Sequence, residues 1–330
     1  MNDPYNTQIE LVEGCNLFCK FCGIYGIWDK KENRELKMMD IKLAESISKN
    51  LSQWWKKGKR IEFAMHGEPT LHPNILDIIK IFRNDNKNAQ LQLTTNGTKL
   101  TPVLVQKLFK NGLNLLLIDT YRTSTERKIE TILQNINIPY FNYYEKDCPN
   151  PYYYNGNKQK CIILFGDLAK NNRKKMQRTI CNHAGNSNEK YLTKYGAKKI
   201  TSPLRKKCTK PFRELIIHWD GTVPLCCMDW KHELIIGKFP IDGNLKKIWH
   251  SEIFNIFRNL LYNKQRWFRP CYKCDFTGGP RIGLLKKPEL KKVSGIQKEI
   301  EKHYSKMDKY AHENSDKFFK INKNIRDFIK

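Results

Sequence analysis

The sequence predicts an α/β fold, a partial (β/α)6 barrel with a small C-terminal α+β module. Three observations carry that reading. The first two-thirds of the chain alternates short strand-like runs with amphipathic helix-like runs, as crossover-connected parallel strands do. The loops richest in reactive side chains follow the first three strands, where a parallel barrel keeps its site. From about residue 201 the alternation gives way to a hairpin-like pair, one long apolar-periodic run and spaced cysteines. The expected domains are residues 1–200 for the barrel, 201–280 for the module and 281–330 for a basic helical extension.

The elements follow in order. Gln8 to Val12 reads as the first strand. A helix runs from about Asp40, a plausible N-cap, to Lys57, with Ala44, Ile47 and Leu51 on one face. Ile61 to Met65 is the second strand, and Pro73 suits position N1 of a helix ending near Arg83. Leu91 to Thr95 is the third strand. Thr101-Pro102 opens a helix that Gly112 stops. Asn114 to Ile118 is the fourth strand, followed by a helix over about Ser124 to Asn135. Ile138 to Tyr144 and Lys160 to Phe165 complete six strands, an incomplete TIM-like barrel. Beyond it, Leu215 to Trp219 and Thr222 to Leu225 read as a hairpin about Asp220-Gly221. A helix over about Asn244 to Tyr262 follows, and the Lys-rich last 50 residues read as peripheral helices.

Bulk properties narrow the function. At 330 residues the chain can bury a full catalytic core. It has no apolar run of about 18 residues and no export-signal pattern, so a cytoplasmic protein without membrane contact is expected. Eleven cysteines in that setting point to metal binding rather than disulfides. The net charge is +27, from 46 Lys and 14 Arg with 30 Asn, a composition closer to AT-rich coding bias than to an arginine-led nucleic-acid surface. One block stands apart. Lys170 to Lys210 holds 13 Lys or Arg against the single acid Glu189, a candidate surface for anions.

Cys15, Cys19 and Cys22 are spaced C-x3-C-x2-C directly after the first strand. Three thiolates on one tight loop can hold three corners of a four-iron cubane and leave the fourth iron open. A zinc knuckle is the rival reading of the cysteines alone. The spacing resembles that of the radical S-adenosylmethionine (radical SAM) superfamily. That resemblance implies an open iron that chelates the methionine part of the cofactor, and reductive cleavage to a 5′-deoxyadenosyl radical that abstracts a substrate hydrogen. It also implies an aromatic beside the adenine at Phe21. Met65-His66-Gly67-Glu68-Pro69 resembles the family's Gly-Gly-Glu-Pro element, with His66 in place of the first glycine. By resemblance, Gly67 and Glu68 bind the cofactor, with Glu68 the partner of its ammonium. Thr95-Asn96-Gly97 after strand three resembles a family turn near the cofactor, which implicates Asn96, and Asp119 falls where the family places contacts to the ribose. Asn182 to Asn186 resembles an Asn-x-x-Gly-Asn run of some relatives, without an assigned role.

A second cysteine set comprises Cys208, Cys226, Cys271 and Cys274, at separations of 18, 45 and 3. Chemistry alone permits zinc there as well as iron. The pattern resembles the SPASM auxiliary-cluster module in its shortened, twitch form, and its spacing is similar to that of the twitch-type aminocyclitol dehydrogenases. Cys226 is expected to ligate rather than Cys227, since neighbours on a strand end point to opposite faces. The resemblance implies two [4Fe–4S] clusters and S-adenosyl-L-methionine as cofactors. It implies a radical SAM oxidoreductase acting on a small, possibly anionic molecule, such as a sugar or cyclitol, by two-electron oxidation. An electron donor such as flavodoxin or ferredoxin is the implied partner. Epimerisation, or modification of a carrier peptide or RNA, is the alternative within the superfamily, and a zinc-binding nucleic-acid protein the alternative outside it.

Overall fold

The computed structural model describes residues 2–27, 35–55, 58–143, 145–152, 160–165, 181–197, 199–278 and 285–288. Residues 170–180 and 198 of the basic block, and the C-terminal extension apart from 285–288, lie outside the described residues.

In chain order the barrel half contains β1 (Asn6–Ile9), β2 (Val12–Glu13), β3 (Lys37–Met38), α1 (Ile41–Trp54), β4 (Arg60–Phe63), α2 (Ile75–Asp85), β5 (Gln90–Thr95), α3 (Pro102–Lys110), β6 (Leu115–Ile118), α4 (Thr123–Gln134), β7 (Tyr140–Asn142) and β8 (Cys161–Leu164). There follow α5 (Glu189–Lys194), α6 (Lys210–Arg213), β9 (Glu214–Ile217), β10 (Thr222–Pro224), β11 (Ile235–Lys238), α7 (Leu245–Trp249) and α8 (Glu252–Tyr262). Seven strands form one parallel sheet in the order β7-β8-β6-β5-β4-β1-β9. The α/β class and the partial barrel are as expected.

Local chemistry sets the boundaries. Asp40 caps α1 by accepting from the Lys42 N–H at 2.8 Å. Thr101 caps α3 by accepting from the Leu104 N–H at 3.1 Å, with Pro102 in the first turn. Pro73, in contrast, lies ahead of α2. A separate turn precedes that helix, in which the Asn74 N–H donates to His72 Nδ1 at 3.1 Å. The expected first strand is broken at Glu10-Leu11, so that β2 pairs with β3 in its own antiparallel ribbon.

Three further differences concern long-range order. The fifth and sixth strands exchange places. The Cys-Ile-Ile-Leu run of β8 is buried and sits inside against β6, while the partly exposed Tyr-Phe-Asn of β7 forms the edge. An apolar run buried on both faces takes the interior position. The expected hairpin also opens out. Its Asp220-Gly221 turn forms, with the His218 N–H donating to the Thr222 carbonyl at 2.9 Å, but β9 runs parallel to β1 and β10 pairs with β11. The C-terminal segment therefore adds a seventh strand to the barrel sheet. Finally, the long C-terminal helix is two helices, because Ser251 caps α8 through the Phe254 N–H. Fully buried Arg258 then ties the pieces, donating to the carbonyls of Pro211 at 2.7 Å and Trp249 at 2.6 Å.

Among the described residues, no helix is long and apolar enough to cross a membrane.

Candidate active site at the C-terminal strand ends

The loop that follows β2 carries Cys15, Cys19 and Cys22. It turns tightly, with the Cys22 N–H donating to the Cys19 carbonyl at 3.0 Å and the Leu17 N–H to Cys15 Sγ at 3.3 Å. The three thiols line a cavity of about 200 Å³ together with Phe21, with Gly67 and Glu68 after β4, with Asn96 after β5, and with Asp119 and Tyr121 after β6. The residues singled out near the first cysteine set thus come together at the C-terminal ends of adjacent strands.

Gly67 is the structural hinge of this wall. It pairs with Gly14 as an isolated parallel bridge. The Gly14 N–H donates to the His66 carbonyl at 3.0 Å, and the Glu68 N–H to the Gly14 carbonyl at 2.9 Å. A Cβ on Gly67 would stand 2.1 Å from the Val12 carbonyl oxygen and 2.4 Å from that of Gly14. Both contacts are backbone, so neither can swing aside. Gly67→Ala is expected to lower stability by about 3 kcal/mol, the upper range of overpacking, and to separate the cysteine loop from β4. Thermal unfolding of the variant beside the wild type measures this. An unchanged midpoint would show that the loop can retreat without cost.

Glu68 is buried, and its carboxylate already receives four hydrogen bonds. Oε1 accepts from the Thr70 N–H at 3.0 Å, the Thr70 hydroxyl at 2.5 Å and the Thr95 hydroxyl at 2.6 Å. Oε2 accepts from the Asn96 N–H at 2.7 Å. Burial pushes this carboxyl up, against the pull of those donors. Glu68 therefore shapes the turns after β4 and β5, and only Oε2 keeps a lone pair for a further donor. Asn96 in turn reaches the cysteine loop, with Nδ2 donating to Asn16 Oδ1 at 2.9 Å and to Cys15 Sγ at 3.3 Å. Burial pushes Asp119 up to about 7, although the Tyr121 hydroxyl donates to it at 3.2 Å. Phe21 packs against Tyr121 with ring centroids 5.1 Å apart.

Cys22 is pushed up to about 12, first by burial and then by the neighbouring Cys19 and Cys15. A cation sharing the site would favour ionisation of that thiol, as a metal cluster does.

The second cysteine set is equally convergent. Cys208 precedes α6, Cys226 follows β10, and Cys271 and Cys274 sit on a turn after α8; all four are buried. Burial and the mutual proximity of the four, with Cys227 nearby, drive Cys226 well above its ordinary value. Cys227 turns elsewhere, its Sγ 3.3 Å from Lys210 Nζ. The four thiols form one convergent donor set for an inorganic core. Arg266, 1% exposed, braces the site by donating to the carbonyls of Lys206, Lys207 and Phe276 at 2.6–2.8 Å.

Residues 182–188 join the two cysteine sets. Asn182 Nδ2 donates to the Lys273 carbonyl at 2.6 Å, and its N–H to Asp275 Oδ2 at 2.8 Å. At the other end the Ser187 hydroxyl donates to the Phe21 carbonyl at 2.8 Å, and the Asn188 N–H to the Lys20 carbonyl at 2.9 Å. This strap and Trp230 supply the cavity wall that sequence reasoning missed. His183 and Trp230 line the cavity, and burial lowers His183 to about 4. The strap's only local signal is the Asn182 to Asn186 run, and Trp230 carries none.

The described part of the basic block is not uniformly solvated. Lys199 pairs with Glu189 at 3.0 Å on the surface, whereas Lys207 Nζ lies 3.7 Å over the Tyr262 ring and Lys210 is drawn inward to Cys227 and Glu214.

Comparison with known proteins accords with this arrangement. A family model for the radical SAM superfamily matches residues 9–138, and one for the SPASM iron–sulfur cluster-binding domain matches residues 208–275. The chain is 26% identical over 124 residues to the tungsten-containing aldehyde ferredoxin oxidoreductase cofactor-modifying protein of Pyrococcus furiosus, covering 38% of this chain and 33% of that protein. It is 29% identical over 140 residues to the cysteine-type anaerobic sulfatase-maturating enzyme of Clostridium novyi, covering 38% and 37%. The matched region is thus little more than a third of each relative's length. Among solved structures, BtrN in complex with AdoMet and 2-DOIA superposes with a TM-score of 0.60 at 20% identity, over 83% of this chain and 94% of that one. Tagged anSMEcpe with bound AdoMet gives 0.50 at 17%, over 96% and 97%. At these identities the structures show a shared fold. The cofactors of the two matched domains are a four-iron cluster that binds S-adenosylmethionine and an auxiliary iron–sulfur cluster. With both cysteine sets convergent on the expected scaffold and both domains matched, the chain belongs to the radical SAM superfamily and carries a C-terminal SPASM-type module.

Proposed function

We propose that the chain is a radical SAM oxidoreductase that removes two electrons and two protons from a small hydroxylated molecule of the sugar or cyclitol kind. The observation that carries this reading is the single cavity onto which the Cys15–Cys22 loop, Gly67, Glu68, Asn96 and Asp119 converge, with a wall supplied by the strap that leads to the second cysteine set. Cys15, Cys19 and Cys22 hold the first cluster, and Cys208, Cys226, Cys271 and Cys274 the auxiliary one. When bound, the first cluster and S-adenosylmethionine supply a carbon-centred radical that takes a hydrogen atom from substrate, and the auxiliary cluster supplies an acceptor for the second electron.

The protein's part is binding and aim. Phe21 and Tyr121 offer aromatic faces for an adenine, and Asp119 offers a carboxyl for ribose hydroxyls. Glu68 Oε2 offers its remaining lone pair to an ammonium, while its other bonds keep Asn96 against the cysteine loop. Trp230 and His183 close the cavity on the side of the module, where substrate would be enclosed. The cysteine spacing, shared with the aminocyclitol dehydrogenases, supports the oxidation over other radical outcomes. A flavodoxin- or ferredoxin-type donor is the partner that fits the electron supply.

The test is anaerobic turnover of reconstituted protein with candidate cyclitols, sugars and a cysteine-containing peptide. Formation of 5′-deoxyadenosine together with a product two mass units lighter than a cyclitol or sugar is expected. A product of unchanged mass with solvent hydrogen incorporated would make the enzyme an epimerase. Loss of two mass units from the peptide alone would move the substrate class to peptides.

A further inference from the structure

Glu10, His66, His218 and His232 come from four segments: the end of β1, the loop after β4, the end of β9 and the loop between β10 and β11. One ligand-type atom from each lies within 4.8 Å of the others, the sole such group among the described residues. Glu10 and His218 are fully buried, His66 is 1% exposed, and His232 is half-buried. His66 Nδ1 stands 2.9 Å from Glu10 Oε1, and the His218 and His232 rings stack at 4.0 Å. His232 Nε2 is held from outside by Glu13, 2.9 Å from its Oε2, which leaves Nδ1 as the His232 donor for a shared ion.

Hydrogen bonds at the far side of two rings fix their tautomers. His66 Nε2 lies 2.9 Å from the Cys227 carbonyl, which can only accept, so Nε2 carries the hydrogen. His218 Nδ1 lies 3.1 Å from the Thr222 hydroxyl, which gives its own hydrogen to Asp220 Oδ1 at 2.6 Å. His218 Nδ1 is therefore the donor. In the neutral rings the lone pairs fall on His66 Nδ1 and His218 Nε2. His218 Nε2 is buried with no hydrogen-bond partner among the described residues. His66 Nδ1 and Glu10 Oε1 are close but not aligned for a hydrogen bond. Glu10 is held from behind, its Oε2 accepting from the Trp219 N–H at 3.2 Å.

Imidazoles whose outer N–H is anchored to a carbonyl or hydroxyl, with the other nitrogen buried and bare, one of them beside a buried carboxylate, are arranged as metal ligands are. A proton on His66 would answer Glu10 but leave His218 Nε2 unsatisfied at 0% exposure, a buried polar atom with nothing to bond. One cation answers both. We propose that Glu10, His66, His218 and His232 form a closed site for one divalent first-row transition-metal ion, which pins the strand ends of the barrel to the C-terminal module. Three nitrogens and one oxygen suit Zn²⁺ or Fe²⁺, and four protein ligands leave no open position, as in a structural site. The site shares no ligand with either cysteine set, although His66 Nε2 meets the Cys227 carbonyl.

The experiment uses the full chain, reconstituted anaerobically with iron and sulfide, given excess Zn²⁺ and then desalted. Metal analysis should find one transition-metal ion per chain more than in His218→Ala or Glu10→Gln prepared alongside, with acid-labile sulfide equal in all three. X-ray absorption at the zinc edge of the wild type should show nitrogen and oxygen at about 2.0–2.1 Å with imidazole scattering. Sulfur at about 2.3 Å would place the zinc on cysteines and overturn the assignment. So would a wild type that retains no more metal than the variants. Should either variant fail to fold, the wild-type spectrum decides by itself.

Discussion

Protein carrying alanine at Cys15, Cys19 and Cys22 together should retain about four of about eight irons per chain and lose all cleavage of S-adenosylmethionine. The three thiols sit on one loop and line one cavity, so removing them takes the whole first site and no part of the second. The scaffold should survive. Gly14 remains paired with Gly67, and Asn16 keeps its bonds from Asn96 and to Thr98, independent of the sulfurs. Circular dichroism like that of the wild type, half the iron and sulfide, and no 5′-deoxyadenosine is the expected set of results. Retention of full iron would mean that the second set, or another group, holds both clusters. Residual cleavage would mean that the cofactor is activated elsewhere.

The first site was legible because its residues are close in sequence to strand ends. Cys15 to Cys22 announces itself by spacing, Gly67-Glu68-Pro69 by composition after an apolar run, and Asn96-Gly97 by the turn it must make, with Gly97 at φ +75°. Helix starts were legible where a side chain does the capping, as at Asp40 and Thr101. Ser251-Glu252 carried the same kind of signal inside the long apolar run, and periodicity alone hid it.

What stayed hidden was neighbourhood between distant segments. Periodicity tells that β8 is buried and β7 is not, but it does not say which of them pairs with β6. Nothing in Leu215-Ile216-Ile217 distinguishes a hairpin arm from a parallel strand, since an apolar run fits both. Once β9 lies beside β1, the rest follows. His218 comes next to Glu10 and His66, Trp230 enters the cavity lined by the first cysteine set, and the 182–188 strap bridges the cysteine loops. His66 illustrates the same limit. It stands where the resembled family element has its first glycine, and its ring points away to the module and meets the Cys227 carbonyl.

Cys226→Ala should lose the auxiliary cluster, leaving about four irons per chain, while Cys227→Ala should keep about eight. The two neighbours lie in the turn after β10 and meet different partners. Cys226 is buried beside Cys208, Cys271 and Cys274, and burial first, then Cys227 and these three, raise it. Cys227 instead meets the Lys210 ammonium, which also lies 3.4 Å from Glu214. Losing that sulfur removes one partner of a half-buried cation that keeps Glu214 and the Phe276 ring, a cost of about 1 kcal/mol, so Cys227→Ala should unfold at slightly lower temperature although its iron is intact. Cys226→Ala loses a cluster ligand but no partner of Lys210. The pair of variants thus separates two effects: iron falls in one, and thermal stability of the iron-loaded protein falls in the other. Loss of iron in Cys227→Ala with full iron in Cys226→Ala would place the register of β10 one residue away and turn the Lys210 contact into part of the cluster site. Equal iron in both would remove the strand end from the ligand set altogether.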